Sequence, residues 1–302
     1  MKVVVVGAGA VGAYYGAKLA KAGHEVTFVA RGAHAEALRE RGLTVQLDSG
    51  EEHFDTPNVV PLEQARGLNA ELVLIAVKWP SLREVCAVLP DIVAADGLVA
   101  PLINGVESEA VVAEAVGAER TVAALAYISS GLTGPGALYV HGPVRVAFAS
   151  TVPGQFERVK GIAQAFADTG IGVNPREDAT QMLWEKMVWN AAFNGLCALT
   201  DQTAGYVADH AEPLVQRAML EIIAVANAEG ASLMPGMVDV LLGVTRTQFK
   251  DTVPSMLQDV RAGRATEVDI LQGAVARAGA KHGIDTPVME TMASLLRLRT
   301  TS

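Results

Sequence analysis

The strongest constraint on the fold is a glycine-rich turn directly after a short apolar run at the start of the chain. Val3–Val6 are four valines, as in a buried strand, and a helical pattern begins at Ala13. The turn between them consists of Gly7, Ala8, Gly9, Ala10, Val11 and Gly12. This order of strand, glycine turn and helix is the dinucleotide-binding fingerprint in the context that it requires. We therefore expect these six residues to bind a pyrophosphate at the helix N-terminus, an ordinary loop being the alternative.

The first half of the chain alternates short apolar runs with helical patterns. The predicted strands after the first are Glu25–Val29, Leu43–Leu47, Leu72–Val77 and Gly97–Leu102. Such alternation is typical of a doubly wound parallel sheet. Between residues 122 and 148, glycines and prolines punctuate short strands, which predicts antiparallel hairpins at one edge of the sheet.

After about Arg176 only helical patterns follow, the last of them over Thr266–His282. We therefore predict an α/β fold in which an N-terminal Rossmann-like doubly wound sheet, residues 1–177, binds the cofactor. An all-α C-terminal domain, residues 178–302, would bind the substrate and carry the catalytic groups.

The composition indicates which kinds of partner and which cellular compartment to expect. The 302 residues carry a net charge of -9 without a basic stripe, which argues against a nucleic-acid partner. No run of about 18 uncharged apolar residues is present, so no membrane span is expected. Two distant cysteines, Cys86 and Cys197, indicate a reduced, cytoplasmic protein, and the six histidines lack metal-ligand spacing. The apolar helices are compatible with a homodimer or simply with a core.

The end of the second predicted strand bears on which dinucleotide would bind. In an NAD site an acidic residue about 20 positions beyond the glycines holds the ribose 2′-hydroxyl. Here that position is Ala30 and Arg31 follows it. An arginine there suits a 2′-phosphate, so we expect NADPH/NADP+, with an ordinary surface arginine as the alternative.

An unusual polar face lies on the helix predicted around Trp184. Lys186, Asn190 and Asn194 are spaced four residues apart and therefore share one face of that helix. Asparagine is a poor helix former, but a solvent-exposed stripe and a substrate-binding face explain the spacing equally well. A partly desolvated lysine could protonate a carbonyl oxygen during hydride addition and stabilise the developing alkoxide.

At this point the chain resembles the ketopantoate reductase (2-dehydropantoate 2-reductase) family over essentially its whole length. The motifs that carry the resemblance are the glycine turn with Arg31, Val77-Lys78, Asn104-Gly105, Trp184-Glu185-Lys186 with its two asparagines, and the string Ser255–Arg261 followed by Thr266–Asp269. The last block is the most specific. The resemblance implies a Rossmann-like domain followed by a helical domain, with the active site in the cleft between them.

The resemblance also implies roles for individual residues. Lys186 would be the general acid, and Glu267 would hold the substrate's far hydroxyl and help position Lys186. Asn104 would lie beside the nicotinamide and the reacting centre. Asn190 and Asn194 would bind the substrate, and Ser255 would bind its carboxylate. Lys78 would lie near the cofactor. Without the resemblance, Glu267 is typical of a charge on a surface helix, Ser255 of an N-cap after Pro254, and Lys78 of a solvated strand end.

Two departures from the family pattern affect the substrate side. Thr252 and Ala204 stand where the best-known members have asparagines. The leading hypothesis is NADPH-dependent reduction of 2-dehydropantoate to pantoate in pantothenate biosynthesis. The alternative that these departures favour is a paralogue acting on another branched or aromatic 2-keto or 2-hydroxy acid. A third, an NADPH-sensing protein without turnover, would predict a missing proton donor.

Overall fold

A computed structural model describes residues 1–56 and 58–300 and divides the chain into two compact units. The first comprises Met1–Ile103 and Ser108–Ala179, and the second comprises Asn104–Glu107 together with the chain from Thr180 onward. The first unit mixes strands and helices, whereas the described residues of the second form helices and loops. The predicted fold class is therefore confirmed. The division at residue 177 did not anticipate that the short segment Asn104–Glu107 belongs to the second unit.

The secondary structure of the first unit alternates strands and helices as far as residue 116, except that three strands follow one another between residues 43 and 60. Its strands are β1 (Lys2–Val6), β2 (Glu25–Val29), β3 (Leu43–Leu47), β4 (Gly50–Phe54), β5 (Val59–Val60), β6 (Ala70–Ile75), β7 (Val93–Pro101), β8 (Val122–Gly134), β9 (Ala137–Ser150) and β10 (Gly172–Arg176). Its α-helices are α1 (Ala10–Lys21), α2 (Gly32–Arg41), α3 (Leu82–Cys86), α4 (Ser108–Val116) and α5 (Phe156–Ala167).

A five-stranded parallel sheet is the centre of the first unit. Its strand order is β5-β2-β1-β6-β7, so the chain moves outward from β1 in both directions. Val3, Val4 and Val5 of β1 are fully buried, as expected for a central strand covered on both faces. Ligands of such sheets bind at the carboxyl ends of the strands where the order reverses, and the glycine turn after β1 lies at that position.

The strand predicted over Leu43–Leu47 and the predicted edge hairpins are not part of the parallel sheet but of a second sheet. Leu43–Leu47 forms β3, but β3 pairs with β4 and β9 in a second sheet. Its alternation of buried and more exposed residues suits a sheet with one covered face, which explains why it does not join the parallel sheet. The segment between residues 122 and 148 forms one long antiparallel pair, β8 with β9, in this second sheet. Gly142 lies inside β9 at one shift of register, and Gly134 ends β8 at the other.

The second unit contains seven α-helices among its described residues. They are α6 (Ala179–Thr200), α7 (Ala204–His210), α8 (Glu212–Ala228), α9 (Met237–Gln248), α10 (Ser255–Arg261), α11 (Gln272–His282) and α12 (Pro287–Thr300). The 22-residue helix α6 carries Lys186 and both asparagines of the polar face. In the part of the chain that the structure describes, no helix has the combination of length and apolar character needed to cross a membrane.

The predicted helix over Thr266–His282 is wrong in its first part. Thr266 and Glu267 lie in a loop, and α11 begins only at Gln272. The apolar side chains of Val268 and Ile270 are buried, and the amide of Ile270 bonds to the carbonyl of Glu267 in a tight turn. Tertiary burial of these residues therefore overrides the helical pattern, and Glu267 is a loop residue instead of a charge on a surface helix.

Candidate active site

The glycine turn after β1 is shaped partly by the protein's own packing and partly leaves space for a ligand. Gly7 has φ +97°, and a Cβ on it would lie 2.8 Å from the carbonyl of Ala76. A Cβ on Gly12 would lie 2.2 Å from the carbonyl oxygen of Gly7. At Gly9, by contrast, no described residue outside its own neighbourhood in the chain and helix comes within 4 Å of the Cβ position. Gly9 is also the N-cap of α1 and offers no capping side chain, so the free amides of this helix face an open approach suited to phosphate.

Arg31 is positioned beside this turn by the pairing of β1 with β2. The amides of Gly7 and Ala8 both donate to the carbonyl of Val29 at the end of β2, over 3.1 and 3.3 Å. Arg31 follows two residues later, is exposed and makes no hydrogen bond or ion pair with another described residue. Its neighbour Arg39 instead donates to the carbonyl of Val59 over 2.9 Å. Arg31 is therefore the arginine on this stretch whose guanidinium is available to an anion.

His34 and Lys78 are two further polar residues near the sheet edge that carries the glycine turn. His34 Nδ1 accepts the amide of Gly136 over 3.2 Å, so this histidine supports the β8–β9 turn. Lys78 is exposed and lies three residues beyond the end of β6, the neighbour of β1 in the sheet. It is thus on the same sheet edge as the glycine turn.

In the second unit, Lys186, Asn104 and Glu267 form a connected group. Lys186 Nζ donates to Asn104 Oδ1 over 3.1 Å, and Asn104 Nδ2 donates to Glu267 Oε2 over 2.9 Å. Three segments that are far apart in sequence, the loop after β7, helix α6 and the loop before α11, supply these side chains. The structure therefore brings together the residues that the resemblance implied as the general acid, its positioning glutamate and the asparagine beside the nicotinamide.

The backbone around Asn104 explains why glycine follows it. Gly105 has φ +102°, which L side chains rarely adopt. A Cβ at this position would also lie 2.7 Å from the carbonyl oxygen of Ile270. Because the loop before α11 approaches so closely, only glycine fits here, and its packing places Asn104 against Glu267.

The electrostatic environment makes Lys186 a weaker base than an ordinary lysine. Burial lowers the pKa of Lys186 to about 8, and the carboxylate of Glu267 acts in the opposite direction. An ammonium with this pKa is still mostly protonated near neutral pH and can give up its proton readily, which is the property required of a general acid.

The two asparagines of α6 differ in what they contact. Asn194 is 3% exposed, and its Oδ1 accepts the amide of Met256 over 3.0 Å and the hydroxyl of Ser255 over 3.3 Å. It therefore satisfies free donors at the start of α10. Asn190 is half-buried and lies one turn from Lys186, and its side chain makes no hydrogen bond to another described residue. Asn190 is thus the asparagine with spare hydrogen-bonding capacity.

Ser255 does not cap α10. The N-cap of this helix is Pro254, Ser255 is its first residue, and its hydroxyl donates to Asn194. Asn194 receives the donors at this helix start, because the extended backbone of Pro254 places Ser255 inside the helix. Ser255 is therefore the helix-start residue that its place after Pro254 predicts, but the N-capping role is wrong.

The two positions that depart from the family pattern are neighbours in space. The amide of Ala204 donates to the carbonyl of Thr252 over 3.0 Å, and the adjacent amide of Gly205 donates to the carbonyl of Lys250 over 3.0 Å. The start of α7 thus holds the segment between α9 and α10. The departures at residues 204 and 252 consequently alter one place in the structure instead of two.

An aromatic pair beside the polar face escaped the sequence analysis. The rings of Trp189 and Phe249 meet edge to face with centroids 6.2 Å apart. Trp189 follows Lys186 by three residues, which was the available sequence signal, but the partner on α9 could not be assigned without the fold. As for metals, no group of three or more His, Cys, Asp or Glu side chains suited to a metal ion occurs among residues 1–56 and 58–300.

Comparison with known proteins adds to this geometry. Residues 3–152 match the family model described as ketopantoate reductase PanE/ApbA, and residues 178–300 match the one for its C-terminal domain. A 2-dehydropantoate 2-reductase from Halobacterium salinarum is 31% identical over 99% of this chain and 98% of its own.

Solved structures show the same likeness. The 2-dehydropantoate 2-reductase of Geobacter metallireducens has a TM-score of 0.91 at 31% identity, with 99% of each chain covered. The ternary structure of D-mandelate dehydrogenase with NADH and anilino(oxo)acetate has a TM-score of 0.93, covering 100% of this chain and 99% of the other. At 24% identity the latter likeness concerns the fold alone.

A parallel sheet with a glycine turn, followed by a helical unit that holds a lysine, an asparagine and a glutamate in contact, defines a two-domain protein of the dinucleotide-dependent oxidoreductase class. With both family models and relatives that match over nearly its full length, the chain belongs to the ketopantoate reductase family.

Proposed function

We propose that this protein reduces a 2-keto acid to the corresponding 2-hydroxy acid with NADPH, and that its first candidate substrate is 2-dehydropantoate, giving pantoate for pantothenate biosynthesis. The observation that carries the proposal is the contact of Lys186 with Asn104 and of Asn104 with Glu267. Relatives about 30% identical over nearly the whole chain are named for this reaction.

The residues of the first unit fit a nicotinamide dinucleotide. The open space above Gly9 and the uncapped start of α1 would receive the pyrophosphate, with the six residues from Gly7 to Gly12 forming the turn. Arg31 would bind the 2′-phosphate, because it follows the strand next to the turn and has no partner among the described residues. Lys78 would lie near the cofactor. Bound NADPH would supply the hydride.

The residues of the second unit would handle the keto acid and the proton. Lys186 would donate its proton to the carbonyl oxygen as that oxygen gains negative charge, and its pKa of about 8 suits this role. Glu267 would hold a substrate hydroxyl and keep Lys186 in place through Asn104. Asn190 would bind the substrate directly, Ser255 would bind its carboxylate, and Asn194 would act with them by fixing Ser255 at the start of α10.

A second candidate is a paralogous reductase or dehydrogenase for another branched or aromatic 2-keto acid. Ala204 and Thr252, which are joined by a backbone hydrogen bond, favour this second candidate. Neither has the side-chain amide that the family pattern places on the substrate side. A protein that senses NADPH without turnover is disfavoured by the presence of Lys186 with its partners. The free, buried Cys86 and Cys197 support a reducing, cytoplasmic location.

The test is NADPH oxidation by the purified protein, followed by absorbance, with 2-dehydropantoate beside a panel of other 2-keto acids. A high kcat/KM for 2-dehydropantoate alone would support the first candidate. A clearly higher value for another branched or aromatic acid would favour the second. Absence of oxidation with every acid would contradict both.

A further inference from the structure

The aromatic pair beside Lys186 is held too firmly to be an incidental surface feature. Trp189 Nε1 donates to Thr245 Oγ1 over 2.9 Å, and that hydroxyl donates in turn to the carbonyl of Leu241 over 2.7 Å. The indole also packs on the buried ring of Phe193 with centroids 5.0 Å apart. Its orientation is therefore fixed by a polar anchor on one side and an aromatic contact on the other.

Phe249 extends this surface although it is 40% exposed. It follows the last residue of α9, and its amide bonds to the carbonyls of Val244 and Thr245, which fixes the end of that helix. Phe249 therefore presents apolar surface that the protein itself leaves partly uncovered.

The segment from Phe249 to Ser255 contacts α6 at both of its ends. Phe249 contacts Trp189, and Ser255 at the other end of the segment contacts Asn194. On a helix with 3.6 residues per turn, Trp189 and Asn194 lie on either side of the direction in which Lys186 and Asn190 point. Trp189 is therefore a neighbour of Lys186 on the helix surface, and Phe249 adjoins Trp189.

We propose that Trp189 and Phe249 form the surface that receives the carbon side chain of the 2-keto acid, and that they select for a bulky apolar group, branched or aromatic, over a methyl group. This inference rests on the proposed function. The substrate's carboxylate and carbonyl would be bound by Ser255, Asn190 and Lys186, and a side-chain hydroxyl by Glu267. The carbon part of the side chain is then left for the aromatic surface. The pair Ala204 and Thr252, whose backbones hold the same segment, brings no side-chain amide to it.

The experiment compares kcat/KM for 2-dehydropantoate, 3-methyl-2-oxobutanoate, phenylpyruvate and pyruvate in the wild type, F249A and V240A. Val240 is an exposed apolar residue on α9 and serves as the matched control. The wild type should prefer at least one bulky acid to pyruvate by about tenfold or more, the scale at which apolar pockets discriminate. F249A should lower kcat/KM for that acid by about tenfold and for pyruvate by less than about threefold. V240A should change neither.

Three kinetic outcomes would overturn the inference: equal losses for all acids in F249A, no loss for the bulky acid, or a gain for it, since a gain would mean that Phe249 excludes bulk. F249L, which retains an apolar side chain, should recover part of the lost kcat/KM. Unchanged thermal unfolding of F249A and F249L would show that the changes are not due to loss of the fold.

A binding measurement separates this inference from the proposed function. With NADP+ present, the bulky acid should change the tryptophan fluorescence of the wild type and of W79F, whose altered tryptophan lies in the first unit. It should not change that of W189F, because Trp189 would be the reporter. If NADPH oxidation fails but this signal persists, the proposed function fails and the aromatic surface stands. If NADPH oxidation succeeds but the fluorescence change is still seen in W189F, the proposed function stands and the aromatic surface fails. Loss of both would overturn both.

Discussion

Asn104 links Lys186 to Glu267 by using both ends of one amide. Its oxygen accepts from the Lys186 ammonium over 3.1 Å, and its nitrogen donates to the Glu267 carboxylate over 2.9 Å. The orientation of the amide follows from these two partners, because an ammonium can only donate and a carboxylate can only accept. The glutamate can thereby influence both the position and the proton affinity of the lysine.

Replacing Glu267 by glutamine should shift the pH dependence of turnover. The carboxylate of Glu267 raises the pKa of Lys186, which burial has lowered to about 8. Glutamine removes that charge yet can still accept from Asn104, so the pKa of Lys186 should fall further. Because reduction requires the ammonium, kcat should decline at lower pH in E267Q than in the wild type. A pH profile of kcat checks this, and a descending limb that stays in place or moves upward would contradict it.

Replacing each asparagine of α6 by alanine should affect stability in one case and substrate binding in the other. Asn194 accepts two donors at the start of α10, so N194A should lower the free energy of unfolding by about 1–3 kcal/mol. The side chain of Asn190 has no hydrogen-bond partner among the described residues. N190A should therefore change the free energy of unfolding by less than about 1 kcal/mol while raising KM for the keto acid about tenfold. Urea unfolding and steady-state kinetics provide the two measurements. Equal effects of both substitutions on stability would refute the distinction.

Arg31 should determine the choice between the two nicotinamide dinucleotides. Loss of its charge-assisted contact to a 2′-phosphate should weaken NADPH binding by roughly 10- to 100-fold, whereas NADH binding should change little. R39A is the matched control, since Arg39 donates to the carbonyl of Val59. Titration of each variant with both cofactors tests the prediction, which fails if R31A weakens both to the same extent.

The sequence predicted the parts of the fold that depend on local patterns. The apolar run of β1, the glycine turn and α1 form one uninterrupted signal, and β2 has the predicted bounds. The pairing of β3 was missed because sheet membership depends on distant strands, here β4 and β9. The loop around Glu267 has a helical pattern because the buried residues Val268, Leu271 and Val275 recur at i, i+3 and i+7, although α11 begins only at Gln272.

The candidate site was predictable only in part, for the same reason. Spacing along α6 grouped Lys186 with the two asparagines, but spacing could not show that Asn194 is committed to α10. The link to Asn104 required the close approach of Gly105 to Ile270, and the aromatic partner of Trp189 required the packing of α9. Contacts between residues separated by tens to hundreds of positions leave no periodic signal in the chain.

The central claim is that Lys186 donates the proton during reduction of a 2-keto acid. The most direct test is kcat of K186A with NADPH and the best keto acid of the panel, together with the dissociation constant for NADPH. The surface variant K281A serves as the control, because Lys281 pairs with Glu229. We expect kcat of K186A to fall about 10²-fold or more, with NADPH binding unchanged and K281A close to the wild type. Near-normal turnover by K186A would remove Lys186 from the mechanism.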